Sequence, residues 1–229
     1  MSALAENLAR IHSRILAACR AAGRSPADVR LLPVTKTQPL GLLHEALVLG
    51  LGEFGENRVQ ELADKAAALQ SEPVRWHLIG SLQTNKVKEL LRVPALALVH
   101  SLDRNKLADV LQRELAAQQR VLDVLVQVHA TGEVSKHGVG PEQVLDLLTH
   151  VQSQCPNLCV RGLMALGPLA SDPVPVFTRV ASLRRELEQQ SGRPLPILSM
   201  GMSGDLEAAI AHGSTLVRIG SGVFGPRRA

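Results

Sequence analysis

The chain has 229 residues, 45% of them apolar and 20% charged, enough to bury a core and too apolar for a disordered segment. Its net charge of +4 comes from 25 basic residues scattered among 21 acidic ones, and with three Phe, one Trp and no Tyr it offers almost nothing on which nucleobases could stack. Nucleic-acid binding is therefore disfavoured, no apolar run is long enough to span a bilayer, and the mild basicity suits an anionic small ligand.

Leu4, Leu8, Ile11, Ile15 and Cys19 recur at steps of three and four, which predicts an amphipathic opening helix over 4–19. Glu6, Arg10, His12 and Arg14 interrupt its apolar character, so it does not read as a secretory leader. Ser25-Pro26-Ala27-Asp28 then sets a capping serine before a proline at the first helical position and predicts a short turn into the first strand. Eight short apolar runs predict strands over 29–34, 52–54, 76–79, 98–100, 122–128, 162–165, 197–199 and 216–219. Helical patterns fill the intervals at 40–49, 56–69, 84–91, 103–119, 141–153, 174–190 and 203–212. The clearest has Asp103 as its cap and Leu107, Val110, Leu111 and Leu115 on one face.

Continuously apolar strands regularly followed by helices argue for a parallel sheet covered on both sides, and eight such units predict a closed (β/α)8 barrel with an additional N-terminal helix. One domain over 1–229 is expected, with 167–175 as a loose barrel loop rather than a boundary. A doubly wound open sheet is the alternative, but Thr35-Lys36-Thr37-Gln38-Pro39 stands where its Gly-x-Gly-x-x-Gly turn would be. Three cysteines and no leader predict the reducing cytosol. Cys155 and Cys159, without a second pair or a histidine cluster, are too little for a metal site, and no metal is expected.

In such a barrel the carboxyl ends of all strands open onto one face. Ending the predicted strands are Lys36; Glu56 and Asn57; His77, Gly80 and Ser81; His100 and Ser101; His129; Met164; Ser199 and Met200; Arg218 and Gly220. After the seventh strand, Gly201-Met202-Ser203-Gly204 leads into a helix, so unpaired backbone N–H groups and the helix dipole face an anion, with the Ser203 hydroxyl beside them. Gly220-Ser221-Gly222 supplies a second close-approach turn after the eighth. Lys36, ending the first strand, is the candidate nucleophile, because partial burial disfavours the charged form of an amine. An amine facing two anion-binding turns holds a phosphorylated aldehyde at both reactive ends, which suggests pyridoxal 5′-phosphate. Arg218, just before the second turn, puts a permanent cation beside the ring nitrogen and disfavours its protonation, which limits carbanion chemistry.

Val34-Thr35-Lys36, Phe54-Gly55-Glu56-Asn57-Arg58-Val59-Gln60-Glu61, Trp76-His77-Leu78-Ile79-Gly80-Ser81-Leu82-Gln83-Thr84-Asn85-Lys86, Gly162-Leu163-Met164-Ala165 and Leu198-Ser199-Met200-Gly201-Met202-Ser203 form an ordered set over nearly the whole chain. With it the sequence resembles the pyridoxal phosphate homeostasis protein family, which is related to the amino-terminal domain of alanine racemase. The resemblance implies a monomeric cytosolic barrel that carries pyridoxal phosphate covalently on Lys36, stores it and supplies it to other proteins, apo-enzymes among them, without established turnover. It also implies ring contacts at Asn57, His77 and Arg218, phosphate contacts at Ser199, Ser203, Gly220 and Ser221, further cofactor contacts at Met200 and Gly204, and a part for Lys136 in cofactor exchange. Gly204 stands where the family usually has an acid, His129 where it has Asn, and His137 where it has a small residue. The enzyme alternative is a racemase, which needs a base on each face of the substrate; related racemases use a lysine and a tyrosine, and this chain has no tyrosine. An aldolase-type barrel acting on a sugar phosphate is a further alternative, and it would purify colourless.

Overall fold

The computed structural model describes residues 2–130, 138–168 and 170–226. Helix α1 (Ala3–Ala21) starts where the Ser2 hydroxyl accepts from the Ala5 N–H, and it buries Leu4, Leu8, Ile11, Ile15 and Cys19 on one side. A short 3-10 turn at Pro26–Asp28, capped by Ser25, feeds β1 (Arg30–Pro33). Strand and helix then alternate: α2 (Leu40–Val48), β2 (Glu53–Glu56), α3 (Val59–Ala68), β3 (Arg75–Leu78), α4 (Val87–Leu90), β4 (Leu96–Leu102), α5 (Asn105–Ala117) and β5 (Leu122–Gln127). The second half continues with α6 (Val144–Gln154), β6 (Leu158–Met164), α7 (Val174–Ser191), β7 (Ile197–Ser199), α8 (Leu206–Ala211), β8 (Leu216–Ile219) and a short α9 (Ser221–Phe224).

All eight strands are parallel in the order β1-β8-β7-β6-β5-β4-β3-β2, and a bridge between Val34 and Gly55 closes the sheet on itself. That is the expected (β/α)8 barrel with α1 added in front of it. The closing seam is thin for a chemical reason. Val34 N donates to Ile219 of β8 and Thr35 N to Gly55 of β2, so alternation turns position 33 toward β2, and proline has no N–H to give there.

Side chains alternate between two cores. Leu98, Leu125 and Met164 fill the barrel interior, with Ile197 packed against them, while Phe54, Trp76, Val124, Val126, Leu163 and Val217 face outward under the helices. Strands β4 and β6 begin earlier than the sequence predicts, because Pro94 and Ala95 before one and Arg161 inside the other interrupt the apolar runs that mark strands. Asp103 is not the cap of α5: that place falls to Arg104, whose guanidinium pairs with Asp103 and donates to the Leu82 carbonyl. Helix α9 had no sequence signal at all, being four residues long. Among the described residues no helix is long and apolar enough to cross a membrane.

Candidate functional site

Lys36 stands three residues past the end of β1 and is half-buried, and both of its neighbours are tied down from below. Thr35 N donates to the Gly55 carbonyl at 3.0 Å and the Thr35 hydroxyl to Glu56 Oε1 at 2.6 Å. Lys65, on α3, spends its buried ammonium on the Thr35 carbonyl (2.6 Å), Glu56 Oε1 (2.7 Å) and Glu61 Oε1 (2.7 Å). Glu61 in turn accepts from the N–H of Thr37, which sits in the left-handed region at φ 64°. Burial pushes the Glu56 carboxyl up, against the opposing pull of Lys65 and Thr35. The outward side of the β1 end is thus a buried polar knot in which Glu56 Oε2 is left without a partner, and alternation leaves Lys36 on the inward side.

The two glycine-serine turns share this rim. Parallel pairing sets Leu32 beside Arg218 and Pro33 beside Ile219, and the next residue, Val34, packs against Gly220, two positions before Lys36. The Ser203 and Ser221 hydroxyls are 3.5 Å apart, and Gly222 N donates to Ser203 Oγ at 3.2 Å. Among the described residues, the backbone N–H groups of Ser203, Gly204 and Ser221 have no protein acceptor, a cradle of donors open to an anion. The N–H of Met202 is not part of it, because Asp205 caps the turn by accepting from it at 2.6 Å. Helix α8 accordingly starts at Leu206, behind Asp205, rather than at the turn itself. Gly201 holds φ 94° with its missing Cβ 2.6 Å from Ala209, so this turn needs glycine there.

Met200 and Ser199 lie beneath the rim, both fully buried. Arg218, 3% exposed, donates from Nη1 to Ser199 Oγ at 2.7 Å and from Nη2 to the Ala165 carbonyl at 3.0 Å. Burial pushes its guanidinium down to about 10, so it stays a cation at neutral pH. The chain continues inward: Ser199 Oγ is 3.1 Å from His100 Nδ1, and His100 Nε2 is 3.0 Å from His77 Nδ1. His77 Nε2 then faces Glu53 Oε2 at 3.5 Å, at the amino end of β2. Burial depresses both imidazoles, His77 to about 3 and His100 well below the ordinary value, so both are neutral. Proton direction follows from the ends of this chain. Arg218 occupies one side of the Ser199 oxygen as donor, so the Ser199 proton goes to His100 Nδ1, and each imidazole carries its proton on Nε2. The opposite tautomers would turn a nitrogen lone pair on the Glu53 carboxylate.

The structure therefore brings Lys36, Ser203, Gly204, Gly220 and Ser221 onto one rim, with Arg218 just below it, and places His77 and Ser199 inside the barrel and Met200 in the outer core under the helices. Asn57 is at the rim and exposed, its carbonyl pressed on Gly80, where a Cβ would lie 2.0 Å from the Asn57 oxygen. His129 is half-buried beside Gly138. Lys136 and His137 lie outside the described residues. Gly204 has open space around its Cβ position and no positive φ, so nothing in its geometry demands glycine there. Cys155 lies against the Asp109–His150 pair joining α5 to α6, on the outside of the barrel, and not against Cys159. Sequence reasoning missed Glu53, Lys65 and the reach of α1 toward the turns; only Lys65 had a signal, its i,i+4 spacing from Glu61.

A barrel with a strand-one amine and N–H turns after strands seven and eight defines the class of the alanine racemase, N-terminal domain, whose family model matches residues 2–228. Within that class the chain belongs to the pyridoxal phosphate homeostasis protein family. It is 44% identical over 227 residues to the pyridoxal phosphate homeostasis protein of Pseudomonas aeruginosa, covering 99% of this chain and 97% of that protein. A crystal structure of an unknown protein from Bifidobacterium adolescentis superposes with TM-score 0.89 at 33% identity, over 96% of this chain and 94% of the other. PipY of Synechococcus elongatus, solved with pyridoxal phosphate bound, superposes with TM-score 0.80 at 33% identity, over 94% of this chain and 100% of PipY.

Proposed function

We propose that this chain, acting as one domain and as a cytosolic monomer, binds pyridoxal phosphate and serves its homeostasis by holding and supplying it rather than by turnover. The observation that carries this is the shared rim: a half-buried strand-one amine beside paired serine hydroxyls and unpartnered backbone N–H groups. When bound, the cofactor supplies an electrophilic aldehyde at one end and a phosphate dianion at the other. Lys36 would take the aldehyde end covalently, and Ser203, Gly204, Gly220 and Ser221 the phosphate. Arg218 would stand near the pyridine ring with Asn57, and a buried cation there opposes protonation of the ring nitrogen and keeps the ring a weak electron sink. His77 and Ser199 would act through Arg218, by fixing its position and proton pattern.

Two features support a holder over a racemase. The sequence has no tyrosine to act as a second base, and His77 and His100 are neutral, buried and engaged with each other. The name of the Pseudomonas relative points the same way. The protein should purify yellow, and borohydride should fix the cofactor on a single peptide containing Lys36. Lys36→Ala should lose that fixation while keeping weaker, phosphate-held cofactor. A colourless protein that takes up no added pyridoxal phosphate would remove this reading, and steady conversion of L-alanine to D-alanine abolished by Lys36→Ala would replace it with the racemase. Supply to apo-enzymes is tested by mixing holo-protein with a cofactor-free acceptor: direct handover restores activity faster than the measured release rate, and restoration at the release rate excludes it.

A further inference from the structure

One side of α1 is turned on both glycine-serine turns. Asn7, Ile11 and Arg14 are four and three residues apart and so share a face of the helix. Asn7 Nδ2 donates to the Val223 carbonyl at 3.1 Å, and Ile11 Cδ1 comes within 2.9 Å of where a Cβ on Gly222 would stand. Arg14 forks onto Glu207, Nε to Oε1 at 2.7 Å and Nη2 to Oε2 at 2.8 Å, and the same Nη2 donates to the Ser203 carbonyl at 3.0 Å. Ser203 is the residue whose hydroxyl meets Ser221 and receives Gly222 N–H.

We propose that Arg14 is a positioning residue for phosphate recognition, setting the anion affinity of the cradle from the added helix without touching the ligand. The inference rests on the rim being the pyridoxal phosphate site. Two physical effects carry it. Gripping the Ser203 carbonyl fixes the peptide before the anion arrives, so less ordering remains to be done on binding. The Glu207 carboxylate, one residue into α8, would otherwise repel an incoming dianion, and the bidentate fork cancels that charge. The same hydrogen bond holds the Glu207 carboxyl below the usual carboxylate range. Because the pair is partly exposed, its share of global stability is small, which separates this role from a structural one.

The test compares pyridoxal phosphate with pyridoxal, which has the same aldehyde and ring and no phosphate, on the full chain. Arg14→Ala should raise the pyridoxal phosphate dissociation constant about five- to tenfold, the scale of a charge-assisted contact, and leave pyridoxal binding unchanged. Glu207→Gln keeps the acceptor geometry without the charge and should weaken pyridoxal phosphate by no more than about twofold. Equal losses for both aldehydes, or no loss for either, overturn the proposal. If Arg14→Ala does not fold, Arg14→Met carries the test: it keeps the packing of the stem, loses the bonds to Glu207 and the Ser203 carbonyl, and should again weaken the phosphate compound alone. A wild-type chain that binds neither compound would instead remove the cofactor reading, and this inference with it.

Discussion

At the scale of single residues, two glycines on the same rim make opposite predictions. A Cβ at Gly80 would sit 2.0 Å from the Asn57 carbonyl oxygen and 2.8 Å from its side-chain oxygen, with backbone as the obstacle. Gly80→Ala should therefore cost about 3 kcal/mol, read as a lowered denaturant midpoint, and should also disturb Asn57. Gly204, open on all sides and without positive φ, should accept alanine with a gain of about 0.5 kcal/mol from the stiffer unfolded chain. A Gly204→Ala protein that melts well below the parent would show that the turn depends on glycine for a reason other than space. By residue type alone both read as turn glycines, although Gly80 lies within the family motif and Gly204 departs from it. The position of the Asn57 backbone, set by β2 pairing with β3, tells them apart in space.

Elements were the most legible level of this chain. All eight strands were readable as short apolar runs, because parallel strands buried on both faces carry no polar alternation to confuse with helix. Their ends were less so. Arg161 reads as a break yet lies inside β6, its guanidinium paired to Asp123 on the neighbouring β5 at 2.9 Å. The rim residues were legible too, since strand ends on a barrel converge by topology alone. What the sequence could not display is which strand-end polar groups face the ligand and which are spent on one another. Ser199 and His77 look like rim residues in the motif, and they prove to be links in an interior chain from Arg218 to Glu53. The knot under Lys36 gives the prediction at this scale. Lys65→Met leaves the Glu56 carboxylate buried with Thr35 as its remaining partner and should destabilise by about 3–5 kcal/mol. Adding Glu56→Gln should recover most of that loss, because a neutral amide keeps an acceptor for Thr35 and no longer needs a cation. Non-recovery in the double variant would assign the cost to lost packing of the Lys65 stem.

For the whole molecule, the interior histidines set a pH dependence. The His77 imidazole is pushed from the ordinary 6.5 to about 3 by burial first and by Arg30 and Arg75 second, and His100 moves the same way under burial, His77 and Arg218. Glu53 faces His77 with the opposite sign, 3.5 Å away, and does not outweigh them. Between these limits the unfolded chain binds protons that the folded chain refuses. Stability is therefore full above pH 6.5 and falls as the pH drops toward 3. His77 alone should cost about 2 kcal/mol by pH 5, seen as a lower unfolding midpoint than at pH 7. His77→Gln should flatten that slope, and a midpoint equal at both pH values would show that the pair is not held neutral.

The proline in β1 has an outcome for motion. A closed barrel has no free edge in principle, yet the join between its first two strands rests on one bridge, made through the Thr35–Gly55 bond, with an N–H missing at Pro33 where another link belongs. Sub-global opening follows the weakest lines of bonds, so this wall, like the single-pair join of β7 and β8, should part before the laddered walls on either side of β5. In deuterium exchange the amides of Thr35 and Gly55 should label ahead of those in β5, which is laddered on both sides. One of the first staves to loosen is then the one that leads to Lys36, and a grip on vitamin B6 gains a natural place to yield.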